Sequence, residues 1–351
     1  MSALRNLAVK PGLAPMEAKL VDELPEGARW RYEPKWDGFR CLAFRADDAV
    51  ELRSKAGTPL DRYFPEIVAF VMALPVERLV LDGELIIPVG GVLSFDALQM
   101  RLHPAESRIQ RLSRETPAEL MLFDRLLDDE GRSLLAMPLT ERRNELERLF
   151  DQSHPPGLRL SPFTEDLAVA RSWLGRSGAA LDGVVAKERD GSYKTGERAM
   201  LKVKNMRTAD CVVGGFRYAA GSTEVGSLLL GLYDGDRLDH VGFTSSIPRN
   251  ARSEVTRRLE ALVEPPGFTG RAPGGPSRWS TNRSADWQPL RPELVVEVRY
   301  DHVTGNRFRH GTRFLRWRPD KAPRQCGMDQ LQAEARPAIL DASLGTKADA
   351  P

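Results

Sequence analysis

Apolar positions in the first two hundred residues fall into short strand-length runs separated by stretches of helical spacing. Phe39–Ala46, Val50–Arg53, Leu79–Ile87, Leu120–Leu126, Gly183–Glu188 and Leu201–Lys204 read as strands. Pro65–Leu74 places its apolar residues at helical intervals. Thr140 is positioned to N-cap a helix running to Phe150, which puts Leu146, Leu149 and Phe150 on one face. Thr164–Leu174 reads in the same way. The order of elements is α+β, without a regular βαβ repeat.

After Lys204 the texture changes. Cys211–Phe216, Ser227–Tyr233, Arg237–Phe243, Leu294–Tyr300 and Arg313–Trp317 read as strands, and one helix over Glu254–Val263 is expected behind a Ser253 cap. Five strands and one helix suit a small Greek-key barrel of the OB type. Glu264–Ser277, rich in Pro and Gly, reads as an irregular loop, and the chain from about Ala338 as a polar tail. The expected division is therefore 1–206, 207–325 and a C-terminal tail at 326–351, flexible at its end.

A length of 351 residues suits two domains, and 41% hydrophobic with 28% charged residues is ordinary for a globular chain. No apolar run reaches the roughly 20 residues of a membrane helix, and Met1–Pro15 lacks the apolar core of a signal peptide, so a cytoplasmic protein is expected. Cys41, Cys211 and Cys326 are far apart, and the five histidines do not cluster, which argues against a disulfide framework or a zinc site. Net charge is only +2, but Arg291–Arg324 holds nine Lys/Arg against four Asp/Glu, a block suited to phosphates or to a solvated surface.

The chemistry concentrates in a few short strings. In Glu33-Pro34-Lys35-Trp36-Asp37-Gly38-Phe39-Arg40 a lysine stands just before a turn and a strand. A lysine amine attacks phosphorus only when neutral, so such a residue needs burial, neighbouring charge or a bound metal to be reactive. Asp82 and Glu84, two apart on a strand, share one face and suit ribose hydroxyls or a divalent cation. Lys202 and Lys204 share a face in the same way and suit phosphate. Arg316 and Arg318, again two apart, suit a phosphate clamp or a nucleic-acid surface.

Taken in order, these strings resemble the ordered motifs of the covalent nucleotidyltransferases: DNA ligases, RNA ligases and mRNA capping enzymes. Lys35-Trp36-Asp37-Gly38 with Arg40 is similar to the nucleotidyl-acceptor motif. Ser54-Lys55-Ala56-Gly57 stands where the family usually has Ser-Arg-x-Gly, and Arg62-Tyr63-Phe64-Pro65-Glu66 follows as in ligases, its arginine a candidate for DNA contact or for capping the next helix. Leu81–Leu85, Phe123-Asp124, Leu181–Lys187 and Leu201–Lys204 resemble the following motifs, with Asp182 in place of the usual glutamate and Met200 where a bulkier residue is common. Arg313–Lys321 resembles the sixth ligase motif. The resemblance covers about Glu33–Lys321 and is strongest to bacterial ATP-dependent DNA ligases of the ligase C type. Thirty-four residues precede Lys35, so the large helical DNA-binding domain found upstream in many cellular ligases is not expected here.

The resemblance implies a nucleotidyltransferase adenylation domain of ATP-grasp-like architecture followed by an OB-fold domain. It implies that Lys35 takes AMP from ATP, that Glu33, Arg40, Lys55, Glu84, Phe123, Lys202, Lys204, Arg313, Arg316 and Arg318 bind the nucleotide, with Phe123 stacking on adenine, and that Glu84 and Asp182 hold Mg²⁺ or Mn²⁺. It further implies nicked duplex DNA as substrate, a monomer acting in repair at the bacterial nucleoid, and a barrel that closes for the first step and reorients for later ones. Within the superfamily an RNA or mixed-strand end-repair ligase and an mRNA guanylyltransferase stay open, as does a catalytically dead nucleic-acid-binding module.

Overall fold

The computed structural model describes residues 3–153, 156–174, 181–274 and 286–331. These divide into two compact units, one ending at Asn205 and the other beginning at Met206.

The first unit is built on two sheets. Strands β1 (Ala18–Leu20) and β2 (Trp30–Lys35) precede a hairpin of β3 (Phe39–Ala46) and β4 (Ala49–Ser54). Next come helix α1 (Pro65–Met72), β5 (Arg78–Ile86), a short ribbon of β6 (Pro88–Val89) and β7 (Val92–Leu93), and helices α2 (Phe95–Arg101) and α3 (Glu106–Glu115). Then follow β8 (Glu119–Arg125), α4 (Leu139–Ser153), β9 (Leu158–Leu160), α5 (Leu167–Ser172), β10 (Gly183–Glu188) and β11 (Met200–Lys204). One sheet runs β4-β3-β5-β8-β9, the other β1-β11-β10-β2.

One face of the five-stranded sheet packs against both α1, through Ile67 and Val71, and α4, through Leu146 and Leu149, while on the other Leu42, Phe44 and Val80 pack with Leu4, Leu7 and Val9. Beneath α4, Arg142 forms a fully buried two-pronged pair with Asp124, at 2.8 and 2.9 Å. Two charges out of water are tolerated here because each satisfies the other's hydrogen bonds.

Several elements differ from the sequence expectation for identifiable reasons. The strand Trp30–Lys35 is not legible as a strand, because its alternation is masked by buried polar residues and by Pro34. It is the edge of its sheet, where a proline does not break a ladder. Thr140 lies inside α4, and its hydroxyl donates to the Arg189 carbonyl instead of capping. The third helix is shorter than Thr164–Leu174: Asp166 caps α5 by accepting from Ala168 and Val169, while Thr164 pairs with Tyr32. Helices α2 and α3 are additions to the elements expected from the sequence.

The second unit contains β12 (Arg207–Tyr218), β13 (Val225–Asp234), β14 (Arg237–Thr244), α6 (Arg252–Glu260), β15 (Gln288–Pro289), β16 (Val295–Tyr300), a ribbon of β17 (Val303–Thr304) and β18 (Arg307–Phe308), and β19 (Arg313–Trp317). The main sheet order is β14-β13-β12-β16-β19, and a parallel bridge between Thr244 and Thr312 joins its ends. Closure in that order, with a helix between the third and fourth long strands, is the OB topology. Leu259 of α6 is fully buried in the barrel core. Ala251, not Ser253, occupies the N-cap of α6, without a side-chain cap bond. Residues 264–274 are irregular as expected; 275–277 lie outside the described residues, as does the expected polar tail from Ala338. Residues 326–331 pack on the barrel: Cys326 is buried, its carbonyl accepts from the Tyr233 N–H, and the Gln330 side chain bonds the Asp210 backbone in both directions.

Candidate active site

Lys35 is the last residue of β2, and Trp36-Asp37-Gly38 carries the chain from one sheet of the first unit to the other. The crossing is tight. A Cβ on Gly38 would stand 2.0 Å from the Leu85 carbonyl oxygen, so only glycine fits. Trp36 is buried, and its indole N–H donates to the Ser161 hydroxyl at 2.9 Å, which pins the residue next to Lys35.

Across the sheet, Gly183 pairs with Lys35 on one side and with Lys204 on the other. Its φ is +151°, and a Cβ would meet the Val203 carbonyl oxygen at 2.0 Å. The Asp182 backbone N–H donates to the Lys35 carbonyl at 3.1 Å, while the Asn205 N–H donates to the Asp182 carbonyl at 3.0 Å. Asp182 is thereby fixed between the strand ends, where its carboxylate forms an ion pair with Lys35 and lies 3.8 Å from Lys204.

A cavity of about 680 Å³ opens in front of these strands. Seven residues singled out from the sequence line it: Glu33, Lys35, Arg40, Lys55, Glu84, Phe123 and Lys202. Lys204 and Asp182 adjoin it through Lys35. Phe123 reaches it because β8 bulges: Asp124 pairs with Asp82 and Leu122 with Gly83, leaving Phe123 as the extra residue. Its ring carries the Lys187 ammonium 4.4 Å and the Arg40 guanidinium 4.6 Å from the ring centroid.

Asp82 and Glu84 occupy the same face of β5 but do different work. Asp82 is fully buried and accepts from Arg40 Nε and Nη2, at 2.5 and 2.6 Å, and from the Tyr193 hydroxyl at 2.7 Å. It positions Arg40 and is not open to a ribose or a cation; only Glu84 of the two lines the cavity. Lys55 sits at the rim, 58% exposed, and pairs with Glu17 at 3.0 Å. Arg62 donates to the Pro104 carbonyl and makes no cap bond to α1.

The electrostatics separate the lysines. Burial lowers Lys35, but Asp182 and Glu84 outweigh it and hold the ammonium above its ordinary value. Lys202 moves the other way, lowered first by burial and then by its neighbours Lys35, Lys204 and Lys55. Burial pushes the Glu84 carboxyl up to about 7, with Lys35 and Arg40 opposing.

In the second unit Arg313 and Arg316 lie on β19, and Arg318 lies one residue beyond it. β19 bulges at Leu315, since Glu297 pairs with Arg316 and Val298 with Phe314. From Arg316 the ladder runs regularly through Trp317 to Arg318, whose N–H donates to the Val295 carbonyl, so Arg316 and Arg318 lie on one strand face as expected. Arg316 is 65% exposed and pairs with Glu297; Arg318 is 18% exposed and is held by Asp210 and Asp320. Lys321 shares Asp210 at 2.8 Å.

Sequence reading did not pick out Tyr193 as holding the Asp82–Arg40 pair, nor Ser161, Glu17 or Lys187 as partners. Lys187 was visible inside the fourth motif but had no assigned task. Tyr193 and Ser161 sit in no motif.

Comparison with known proteins defines the class. A family model described as ATP dependent DNA ligase domain matches residues 13–204, and one described as ATP dependent DNA ligase C terminal region matches 221–321. The chain belongs to the ATP-dependent DNA ligase family. Within that family its likeness is to the bacterial ligase C type. It is 44% identical to DNA ligase C2 of Mycolicibacterium smegmatis, over 93% of this chain and 96% of that one. It is 42% identical to DNA ligase C of Mycobacterium tuberculosis, over 96% and 98%. A solved structure from work on Lig E DNA ligases aligns with a TM-score of 0.56 at 18% identity, over 86% of this chain and 99% of that one, a likeness of fold alone.

Proposed function

We propose that this ATP-dependent DNA ligase takes AMP onto Lys35 and transfers it to the 5′-phosphate of a nick in duplex DNA during repair, acting as a monomer. The observation that carries the reading is one cavity lined by a strand-end lysine, by further cations, and by an aromatic ring beside a carboxylate. The unit ending at Asn205 serves as the adenylation domain and the unit beginning at Met206, with residues 326–331 packed on its barrel, as the OB-fold domain, in place of the expected boundaries at 206 and 325.

In the first step Lys35 Nζ attacks the α-phosphorus of ATP, the N–P bond forms, and the P–O bond to pyrophosphate breaks. Asp182, already paired with the ammonium, is the nearest base for the proton that must leave. Phe123 offers its ring to the base and Glu33 its carboxylate. Arg40, fixed by Asp82, Lys55 and Lys202 face ribose and phosphate oxygens, and Lys204 adds charge beside Asp182. On the barrel, Arg313, Arg316 and Arg318 orient pyrophosphate, Arg316 being more exposed than Arg318. AMP then passes to the 5′-phosphate, and the 3′-hydroxyl displaces it as the phosphodiester forms.

No group of three or more His, Cys, Asp or Glu suited to a metal occurs among the described residues. Two carboxylates, Glu84 and Asp182, fit Mg²⁺ or Mn²⁺ instead, since such ions keep several waters and take substrate phosphates as further ligands. A divalent cation there would neutralise Asp182 and Glu84, the two carboxylates that raise the Lys35 ammonium most, and would balance phosphate charge.

The test is sealing of matched nicks in DNA, RNA and mixed duplexes by the purified protein with ATP, GTP or NAD. ATP-dependent closure of the DNA nick is expected, with complete loss in Lys35→Ala and an unchanged circular dichroism spectrum. Closure by Lys35→Ala at the wild-type rate, or closure with GTP alone, contradicts the reading.

A further inference from the structure

We propose that Lys187 is a specificity-determining residue: through its ion pair with Glu33 it fixes the carboxylate that selects adenine over guanine. This rests on the cavity's taking a nucleoside triphosphate.

On the paired strands Lys187 stands opposite Arg31, and Val185 opposite Glu33, so Lys187 and Glu33 are diagonal neighbours on one sheet face. Lys187 Nζ lies 2.7 Å from Glu33 Oε2, and the two side chains are only 5% and 4% exposed. The same ammonium sits 4.4 Å from the Phe123 ring centroid, so one lysine restrains both the carboxylate and the ring. All three residues line the cavity. An ion pair sunk this deep beside an open cavity is costly to keep unless both partners are held in register.

The chemistry follows from what a carboxylate can and cannot do. Glu33 with Oε2 on Lys187 meets a base through Oε1, and a carboxylate only accepts. Adenine presents an amino group at the six-position, which donates. Guanine presents a carbonyl there, which only accepts, so two acceptors face each other with no hydrogen between them. A buried polar group left unpaired in this way rejects a ligand far more strongly than a shape mismatch does. Without Lys187 the Glu33 side chain is free to turn from the base. Lys187 touches neither base nor phosphate in this scheme; it is a positioning residue.

The experiment measures transfer of label from α-labelled ATP and GTP to the full-length protein in single turnovers, with thermal midpoints alongside. The proteins are wild type, Lys187→Met, Lys187→Arg and Glu33→Gln. Lys187→Met should narrow the ATP-over-GTP preference by about tenfold, through a higher KM for ATP with kcat nearly unchanged. Lys187→Arg should restore most of the preference. Glu33→Gln should narrow it also, because an amide can offer an N–H to the guanine carbonyl. An unchanged nucleotide preference in Lys187→Met or Glu33→Gln, with only a lower thermal midpoint or an equal loss of kcat on both nucleotides, overturns the proposal. Should Lys187→Met not fold, Lys187→Arg and Glu33→Gln still decide it. A wild type that takes no label from ATP overturns the underlying reading as well; one that does, with its preference untouched in the variants, overturns only the role of Lys187.

Discussion

Glu84 shows what folding does to a single group at this site. Its carboxyl rises from an ordinary 4.5 to about 7, chiefly through burial, while Lys35 and Arg40 pull it back. A carboxyl raised by folding favours the folded state only while protonated. Its contribution is full below pH 4.5, falls as the pH climbs to about 7, and is flat above that. In metal-free buffer the thermal midpoint of Glu84→Gln, relative to wild type, should therefore increase across that window and then level off. A difference constant with pH contradicts the assignment. At this scale the sequence was informative where chemistry is written in short strings, as at Lys35, Glu84 and Lys202. It was silent on Tyr193, which meets Asp82 from 111 residues away. No spacing rule joins two such positions; only the packing of the first unit does. Asp82 was legible as a partner of Glu84, but its burial under Arg40 was not.

Among the elements, the lesson lies in β2 and β8. Strand β2 carries Arg31, Glu33 and Lys35, polar residues on a buried strand, and so it defeats a reading that depends on polar positions facing water. The breach of pattern is itself the functional signal. Strand β8 was legible as a strand, yet Phe123 reaches the cavity only through a bulge that the sequence does not announce. The link between the sheets makes a sharp prediction. Gly38→Ala drives a methyl into the Leu85 carbonyl, 2.0 Å away, and into Glu84 Cγ at 2.9 Å. We expect a stability loss of about 2 kcal/mol or more in urea unfolding, since backbone has to move to relieve the clash. A loss below about 0.5 kcal/mol, the range of an unremarkable surface change, contradicts it.

At the level of the whole molecule, the α+β order and the late barrel were legible from strand count and helix position, because an OB topology needs few elements in a fixed order. Arg316 and Arg318 keep the shared face that two-residue spacing predicts, with Arg316 tied to Glu297 and Arg318 to Asp210 and Asp320. Arg316 is an exposed basic group of the sixth motif, as Arg313 is, and pairs with Glu297. If the barrel serves the ATP step, Arg316→Ala should lose self-adenylylation by about a hundredfold, the scale of one lost charge-stabilising donor, and retain sealing of pre-adenylated DNA. Equal loss on both substrates contradicts that division of labour. The central claim is narrower than any of these and is tested by one measurement. The full-length protein is incubated with ATP and Mg²⁺, quenched, digested and mapped by mass spectrometry for a lysine bearing AMP. The account predicts the adduct on Lys35 and its disappearance on adding pyrophosphate. An adduct on another residue, or an equal yield from Lys35→Ala, contradicts it.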